Sequence, residues 1–387
     1  MALLVPTSEL AQRLEAGAAA DRILWATQKQ VPDDVVKDLL AGNEFGYVKR
    51  PTGTGKTTLA SQELIAFNTN PSQSSPSWDY PVMIVAPRRL LTEQFVETLT
   101  DKDKFGLDPS LIGIYHSQIP NDQRKEALKR PILITTYASM MSLVRQEKIT
   151  AKDRPIIIGD EIHRARGDVI RPFIQDTFFG NSYFQGWTAT DLFMTGQTIG
   201  DYLFRGREPM HVTDFQTAVL NGEISPFKNI VWNSPVVSDV KVPPGRDYTE
   251  MERQQIVSQA GRDEFAIRQH ATYRDPETGL YLRDMDSIWY CAGITHADHV
   301  AKRICEVFGE GYAVAVSGQT DPSRLRDIIA EYKDPSGRIK AIANAMLLVE
   351  GFDARNAQAV YMLAPYRDPI IVEQTGGRAM RKDPRNP

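Results

Sequence analysis

Two short stretches carry residue types spaced for chemistry. The first is PTGTGKT, Pro51 to Thr57. Gly53 and Gly55 permit a tight turn and close backbone approach. Successive N–H groups of Thr52, Gly53, Thr54, Gly55 and Thr58 can then surround an anion at the start of the following helix. Lys56 would reach the β- and γ-phosphates of a nucleotide, and the Thr57 hydroxyl would ligate Mg²⁺. The second stretch is PIIIGDEIHRARG (155–167), where Asp160 and Glu161 follow an apolar run. A carboxylate in the first position can hold the metal, and one in the second can position or deprotonate an attacking water. Either stretch alone is compatible with an ordinary turn. Together they describe the two halves of a nucleoside triphosphate site. One position is odd: Arg50 stands six residues before the lysine, where the usual phosphate-loop consensus has glycine.

Such a site needs strands that end where the loops begin. FGYVK (45–49) reads as a weak strand before the first loop, and TTLASQELIAF as a helix after it. Short apolar runs at 82–87, 131–137, 155–161, 288–293, 312–318, 339–345 and 359–365 read as strands buried on both faces, the pattern of parallel sheets. Helical spacing occupies 89–99, 122–129, 297–308 and 323–332, and one helix is expected over 249–272. This alternation predicts two α/β domains. The break is expected after GWTATD (186–191), with the strand-poor segment 192–226 closing the first domain. The resulting division is a helical lead-in at 1–24, a first domain at 25–225 and a second at 226–387. PSQSSPSWDYP (71–81) reads as a surface loop.

Composition excludes several alternatives. The 387 residues are 42% hydrophobic and 24% charged, with a net charge of −4, so any grip on a polyanion must come from a local patch. Two cysteines, Cys291 and Cys305, and six scattered histidines make neither a disulfide framework nor a zinc site. No basic start precedes a long apolar run, and no stretch of about 18 apolar residues occurs, so a cytoplasmic protein without a membrane span is expected.

PTGTGKT, DEIH, TAT and the late QTGGRAMR stand in the order and spacing of superfamily 2 helicases, and the chain resembles that superfamily from about residue 22 to its end. Its loop has the form Pro-Thr-Gly-x-Gly-Lys-Thr without the distal glycine, so Arg50 agrees with the resemblance. PRRLLTEQF (87–95) is similar to motif Ia, TTYASM (135–140) to the next strand-end motif, and GWTATD to motif III. IWYCAGITHADHVAKRI, MLLVEGFDARNAQAV and QTGGRAMR are similar to motifs IV, V and VI. The DEIH form, with EGFD, GRAMR, TYASM and FQTAVLNGEISPF, is closest to the DExH branch of XPB-type repair helicases and restriction-enzyme motors, which is largely DNA-directed.

The resemblance implies two tandem RecA-like domains, each a mainly parallel sheet with helices on both faces, and an ATP cleft between them. It implies an ATP hydrolase with ATP and Mg²⁺, acting on nucleic acid, DNA in preference to RNA. Carried over by position, Lys56, Glu161, Gln374, Arg378 and Arg381 are catalytic. Arginines presented from the second domain would neutralise charge developing on the γ-phosphate. Gln28 takes the place of an adenine-reading glutamine, with Gln30 as a competing choice. Gly351 and Asp353 would line the nucleotide side of the second domain. Pro87, Arg88, Thr136, Tyr137, Ser317, Gly318 and Asn344 are the expected nucleic-acid contacts, with Arg89 either an equally good phosphate ligand or a surface charge. Ala345 replaces a family Thr or Val and removes a hydroxyl there. His163, Thr188 and Thr190 would couple nucleotide state to movement. Related second domains continue with another helix and strand after motif VI, so a C-terminally truncated domain is expected. A further domain or a protein partner would then supply specificity.

Overall fold

The computed structural model describes residues 5–20, 28–70, 76–232, 240–243, 246–258, 261–345 and 356–380. The chain divides into two compact units, Met1–Glu223 and Ile224–Pro387. Among the described residues no helix is long and apolar enough to cross a membrane.

In chain order, the first unit holds α1 (Thr7–Ala20), α2 (Gln30–Leu40), β1 (Phe45–Lys49), α3 (Lys56–Phe67), β2 (Val82–Ala86), α4 (Arg89–Thr100), β3 (Ile112–Tyr115) and α5 (Asn121–Ala127). It continues with β4 (Ile132–Thr136), α6 (Tyr137–Arg145), β5 (Ile156–Gly159), α7 (Ile170–Thr177), β6 (Tyr183–Thr188), α8 (Ile199–Tyr202), β7 (His211–Val212) and α9 (Phe215–Leu220). The strands form one sheet in the order β3-β4-β2-β5-β6-β1-β7, and every adjacent pair is parallel. Parallel pairing requires a crossover between neighbours, which the intervening helices supply. The inner strands β2 and β5 are buried at every residue, which explains why Val82–Ala86 and Ile156–Gly159 read as unbroken apolar runs.

The second unit holds α10 (Glu250–Val257), α11 (Arg262–Thr272), β8 (Ser287–Tyr290), α12 (Ile294–Phe308), β9 (Ala313–Val316), α13 (Pro322–Lys333), β10 (Ala341–Asn344), β11 (Ala359–Met362) and α14 (Pro369–Gly376). Its sheet runs β11-β8-β10-β9, again parallel throughout. Alternation along the strands sends Trp289, Ala343 and Tyr361 to one core and Ile288, Tyr290, Ile342 and Val316 to another. Both faces are therefore covered. Helix starts follow local chemistry: Asp321 before Pro322 and Asp368 before Pro369 each accept a backbone N–H of the first turn.

The structure departs from the sequence expectation in three places. The interior strand β6, YFQGWT, is buried at all six residues, yet Gln185 and Gly186 interrupt its apolar pattern. The edge strand β3, IGIY, is only half buried and too short to stand out. The single helix expected over 249–272 is two helices. Gly261, at φ 93°, holds a left-handed turn at the entrance to α11 that a continuous helix cannot contain.

The second core contains a titrating group. His270 is buried against Trp289, Phe308 and Tyr361, with Nδ1 2.8 Å from the Tyr361 hydroxyl. Burial drops its pKa from 6.5 to about 4. Below pH 6.5 the unfolded chain takes up a proton that the folded unit refuses until about pH 4. The second unit is therefore expected to lose stability as pH falls through that window, by about 3 kcal/mol at its lower end. Urea unfolding at pH 7 and at about pH 4.5 should show a smaller difference for His270→Phe than for the wild type.

Candidate nucleotide site

β1 runs into the loop at the carboxyl edge of the first sheet. The Arg50 N–H donates to Thr188 O at 2.9 Å, so the loop starts beside the end of β6. Gly53 and Gly55 have φ of 91° and 81°, in the left-handed region that favours glycine. Lys56 opens α3, and the helix presents its N-terminus to the loop. A Cβ on Gly55 would stand 2.7 Å from Gln28 Nε2, which itself donates to Thr54 O at 2.9 Å. Gln28 is buried against the loop, whereas Gln30 is exposed at the start of α2. Thr57 and Thr58 are half buried.

Lys56 Nζ folds back on the loop. It donates to Arg50 O at 3.3 Å and Pro51 O at 3.4 Å, and lies 3.9 Å from Glu161 Oε1. These are long contacts for an ammonium group, which ordinarily sits nearer ~2.8 Å from an oxygen partner. Two buried oxygens nearby, Thr52 Oγ1 and Glu161 Oε2, have no hydrogen-bond partner. A cationic side chain weakly held, a left-handed glycine turn and orphaned oxygens fit a phosphate group with its metal. No group of three or more His, Cys, Asp or Glu side chains among the described residues is arranged to hold a metal by itself.

β5 delivers the acidic pair. It is separated from β1 by β6 alone. Asp160 is buried, its N–H bound to Val85 O at 2.8 Å and its carbonyl to the Tyr137 hydroxyl at 2.8 Å. Glu161 adopts φ 43° and ψ 53°, a left-handed conformation that costs a non-glycine residue about 1–3 kcal/mol. The turn aims its carboxylate at Lys56. His163 is fully buried, with Nδ1 3.0 Å from Thr188 Oγ1 and 3.4 Å from Glu161 Oε2. The Thr188 hydroxyl donates its single proton to Thr190 O at 2.7 Å, so Nδ1 must donate to Thr188. The Nδ1–H of His163 is thereby committed to Thr188, with the Glu161 carboxylate beside the same nitrogen. Lys49 and Asp191 bracket this end of the sheet with a 2.6 Å ion pair.

Two of the expected nucleic-acid contacts, Tyr137 and Asn344, have buried side chains. Tyr137 is buried, its hydroxyl donates to Asp160 O, and burial raises its pKa strongly, so the side chain faces the acidic pair. Asn344 is fully buried, its amide donating to Trp289 O at 3.2 Å inside the second sheet. Pro87 and Arg88 are half buried at the start of α4 and Arg89 is exposed, donating to Ser117 Oγ at 2.7 Å. Thr136 caps α6 by accepting the Ser139 N–H. Ser317 Oγ accepts from Gln319 N at 3.2 Å, Gly318 is exposed, and Ala345 is half buried. Gln374 and Arg378 are buried in the second unit, on α14 and just after it. Gly351, Asp353 and Arg381 lie outside the described residues.

Three residues about the loop escaped the sequence reading: Thr213, Glu223 and His211. All lie in the segment 192–226, where few strand signals occur. Arg50 bonds Thr213 and Glu223 directly and reaches His211 through Thr213.

Residues 22–191 match the family described as type III restriction enzyme, res subunit. No curated protein matches the sequence. Among solved structures, a fragment assigned as an HsdR subunit of a type I restriction enzyme from Vibrio vulnificus YJ016 aligns with a TM-score of 0.65 and 15% identity, over 96% of this chain and 64% of that one. The DUF1998 helicase MrfA, bound to DNA and AMPPNP, aligns at 0.60 and 19% over 96% and 49%. A variant of the S. cerevisiae protein Dbp5, bound to RNA and ADP BeF3, aligns at 0.55 and 15% over 96% and 83%. This chain thus spans less than two thirds of the length of the first two. The fold is that of two tandem RecA-like domains. Residues 22–191 are thus similar to that restriction-enzyme family, and the fold is similar to those of the restriction-enzyme and helicase structures.

Gly55→Ala tests the loop. Its methyl group meets the Gln28 amide and its φ is unfavourable for alanine. Titration with a fluorescent ADP analogue is expected to show affinity lowered by about tenfold or more. Unchanged affinity would place nucleotide binding elsewhere.

Proposed function

We propose that this protein is an ATP-driven nucleic-acid motor, a helicase or translocase acting on DNA. The observation that carries this reading is the convergence of Lys56, Glu161, Asp160 and His163 at one sheet edge, with Lys56 and Glu161 3.9 Å apart. The loop amides and Lys56 would bind the phosphates of ATP, and Gln28, set against the loop, would contact the base. Thr57 and Asp160 would hold Mg²⁺, which supplies charge neutralisation at the phosphates and needs few protein ligands. Glu161 would orient and deprotonate water, beside the His163 ring that Thr188 holds in place. Gln374, Arg378 and Arg381 of the second unit would complete the site when the two domains close over the nucleotide, with Gly351 and Asp353 beside it. Thr188 and Thr190, hydrogen-bonded to each other and through Thr188 to His163, would report nucleotide state to the sheet edge.

The match to a restriction-enzyme subunit supports DNA as the track, as does the DNA held by MrfA. Phosphate contacts by Pro87, Arg88, Arg89 and Thr136 in the first domain and by Ser317 and Gly318 in the second would supply the grip, since such contacts position a protein without reading sequence. A further domain or partner would confer specificity.

Steady-state ATP hydrolysis should be measured alone and with single-stranded DNA, duplex DNA or RNA. Stimulation by DNA is expected, and Glu161→Gln should lower the stimulated rate by about 10²–10⁴. Stimulation by RNA alone would replace DNA with RNA as the track. ATP binding with no stimulation by any polynucleotide would sink the motor reading in favour of an ATP-dependent switch.

A further inference from the structure

The residue in the place of the consensus glycine has a specific set of partners. Arg50 has no exposed surface. Its Nη2 pairs with Glu223 Oε2, its Nη1 donates to Thr213 Oγ1 at 2.9 Å and its Nε to Thr54 Oγ1 at 3.4 Å. Thr54 Oγ1 in turn donates to Pro51 O at 2.8 Å, across the turn of the phosphate loop. On the other side His211 Nε2 lies 2.8 Å from Thr213 Oγ1, and His211 Nδ1 2.8 Å from Asp34 Oδ2 on α2. A continuous polar line therefore joins α2, the end of β7, the phosphate loop and Glu223.

Burying a guanidinium and a carboxylate together is costly. Apolar residues of similar volume often give an equal or greater stability, so stability alone is a weak reason for such a pair. Its rigid geometry offers another reason. The planar fork of arginine ties three partners at fixed angles, which lysine cannot do. One partner is inside the phosphate loop. Another, Glu223, is the last residue of the first unit, directly before Ile224, where the second begins.

We propose that Arg50 and Glu223 form a positioning strut that holds the phosphate loop in its binding shape and ties it to the point where the chain leaves the first unit. The proposal rests on the nucleotide-motor reading above. Under it, residues that move with the phosphates drag Thr213 and Glu223 with them. Arg50 acts through the loop and does not touch the reacting atoms.

The test compares the wild type with Arg50→Met, Glu223→Leu, the double variant Arg50→Met/Glu223→Leu, and Arg50→Lys. Three quantities are read: thermal midpoint, affinity for a fluorescent ADP analogue, and hydrolysis with and without single-stranded DNA. Each single apolar variant leaves one buried charge unpaired and should melt lower, and the double variant should recover much of the loss. A strut requires that the recovered double variant still bind ADP roughly tenfold more weakly and lose most of its DNA stimulation. Recovered stability together with wild-type affinity and stimulation overturns the proposal and leaves the pair as packing. Should the double variant fail to fold, Arg50→Lys decides, because it keeps the charge and loses the fork. Wild-type behaviour of Arg50→Lys on both functional readouts overturns the strut. Absence of DNA stimulation in the wild type counts against the motor reading alone, since ADP affinity still reports on the strut.

Discussion

Parallel pairing is the constraint from which the rest of the first unit follows. When neighbouring strands all run one way, each of them delivers its carboxyl end to the same edge of the sheet. Lys49, Ala86, Thr136, Gly159 and Thr188 are five of those ends. The loops that leave them hold the phosphate turn, the basic start of α4, the cap of α6, the acidic pair and the Thr188–Thr190 hydrogen bond. Residues more than a hundred positions apart meet there because the strand order, with β6 between β5 and β1, sets Lys56 across from Glu161. Ligand sites of open α/β sheets belong at this edge for the same reason.

That geometry was legible in the sequence where burial is uniform. Strands enclosed on both faces, such as Ile156–Gly159, betray themselves by unbroken apolar composition. A strand that buries polar groups does not. β6 carries Gln185 at no exposure, and its position in the interior of the sheet follows from its neighbours rather than from its own residues. The phosphate loop and the acidic pair were readable because their chemistry needs glycine, lysine and carboxylate at fixed spacing. The inward turn of Tyr137 and Asn344 was not, since side-chain direction at a strand end depends on which face is covered. Nothing about LNGEIS marks Glu223 as a partner of Arg50, because a contact across more than 170 residues leaves no local pattern.

Polar groups hold the carboxyl edge together, while apolar packing holds the sheet behind it. Tyr137 fixes the carbonyl of Asp160, Thr188 fixes His163, and Gln28 fixes Thr54. Each of these side chains is almost fully buried. Such networks stiffen a site when every member finds a partner and penalise it when one is removed. Burial lowers the pKa of Arg50, and Glu223 opposes that shift, so the pair keeps a charge beneath the phosphate loop that water would otherwise stabilise. The loop thus rests on an internal ion pair instead of on the close glycine packing that its consensus form would use.

The left-handed backbone at Glu161 has a consequence for how the chain would drift under different selection. Asparagine and glycine occupy that region of φ and ψ more readily than glutamate does. Either one would relax the turn while discarding the carboxylate. Under the proposed motor function, a lineage kept only for thermal robustness would therefore abandon glutamate at this position, whereas one kept for turnover would retain it at a standing cost in stability. The angle at one residue would thus make the proposed catalysis and conformational ease rival outcomes of selection.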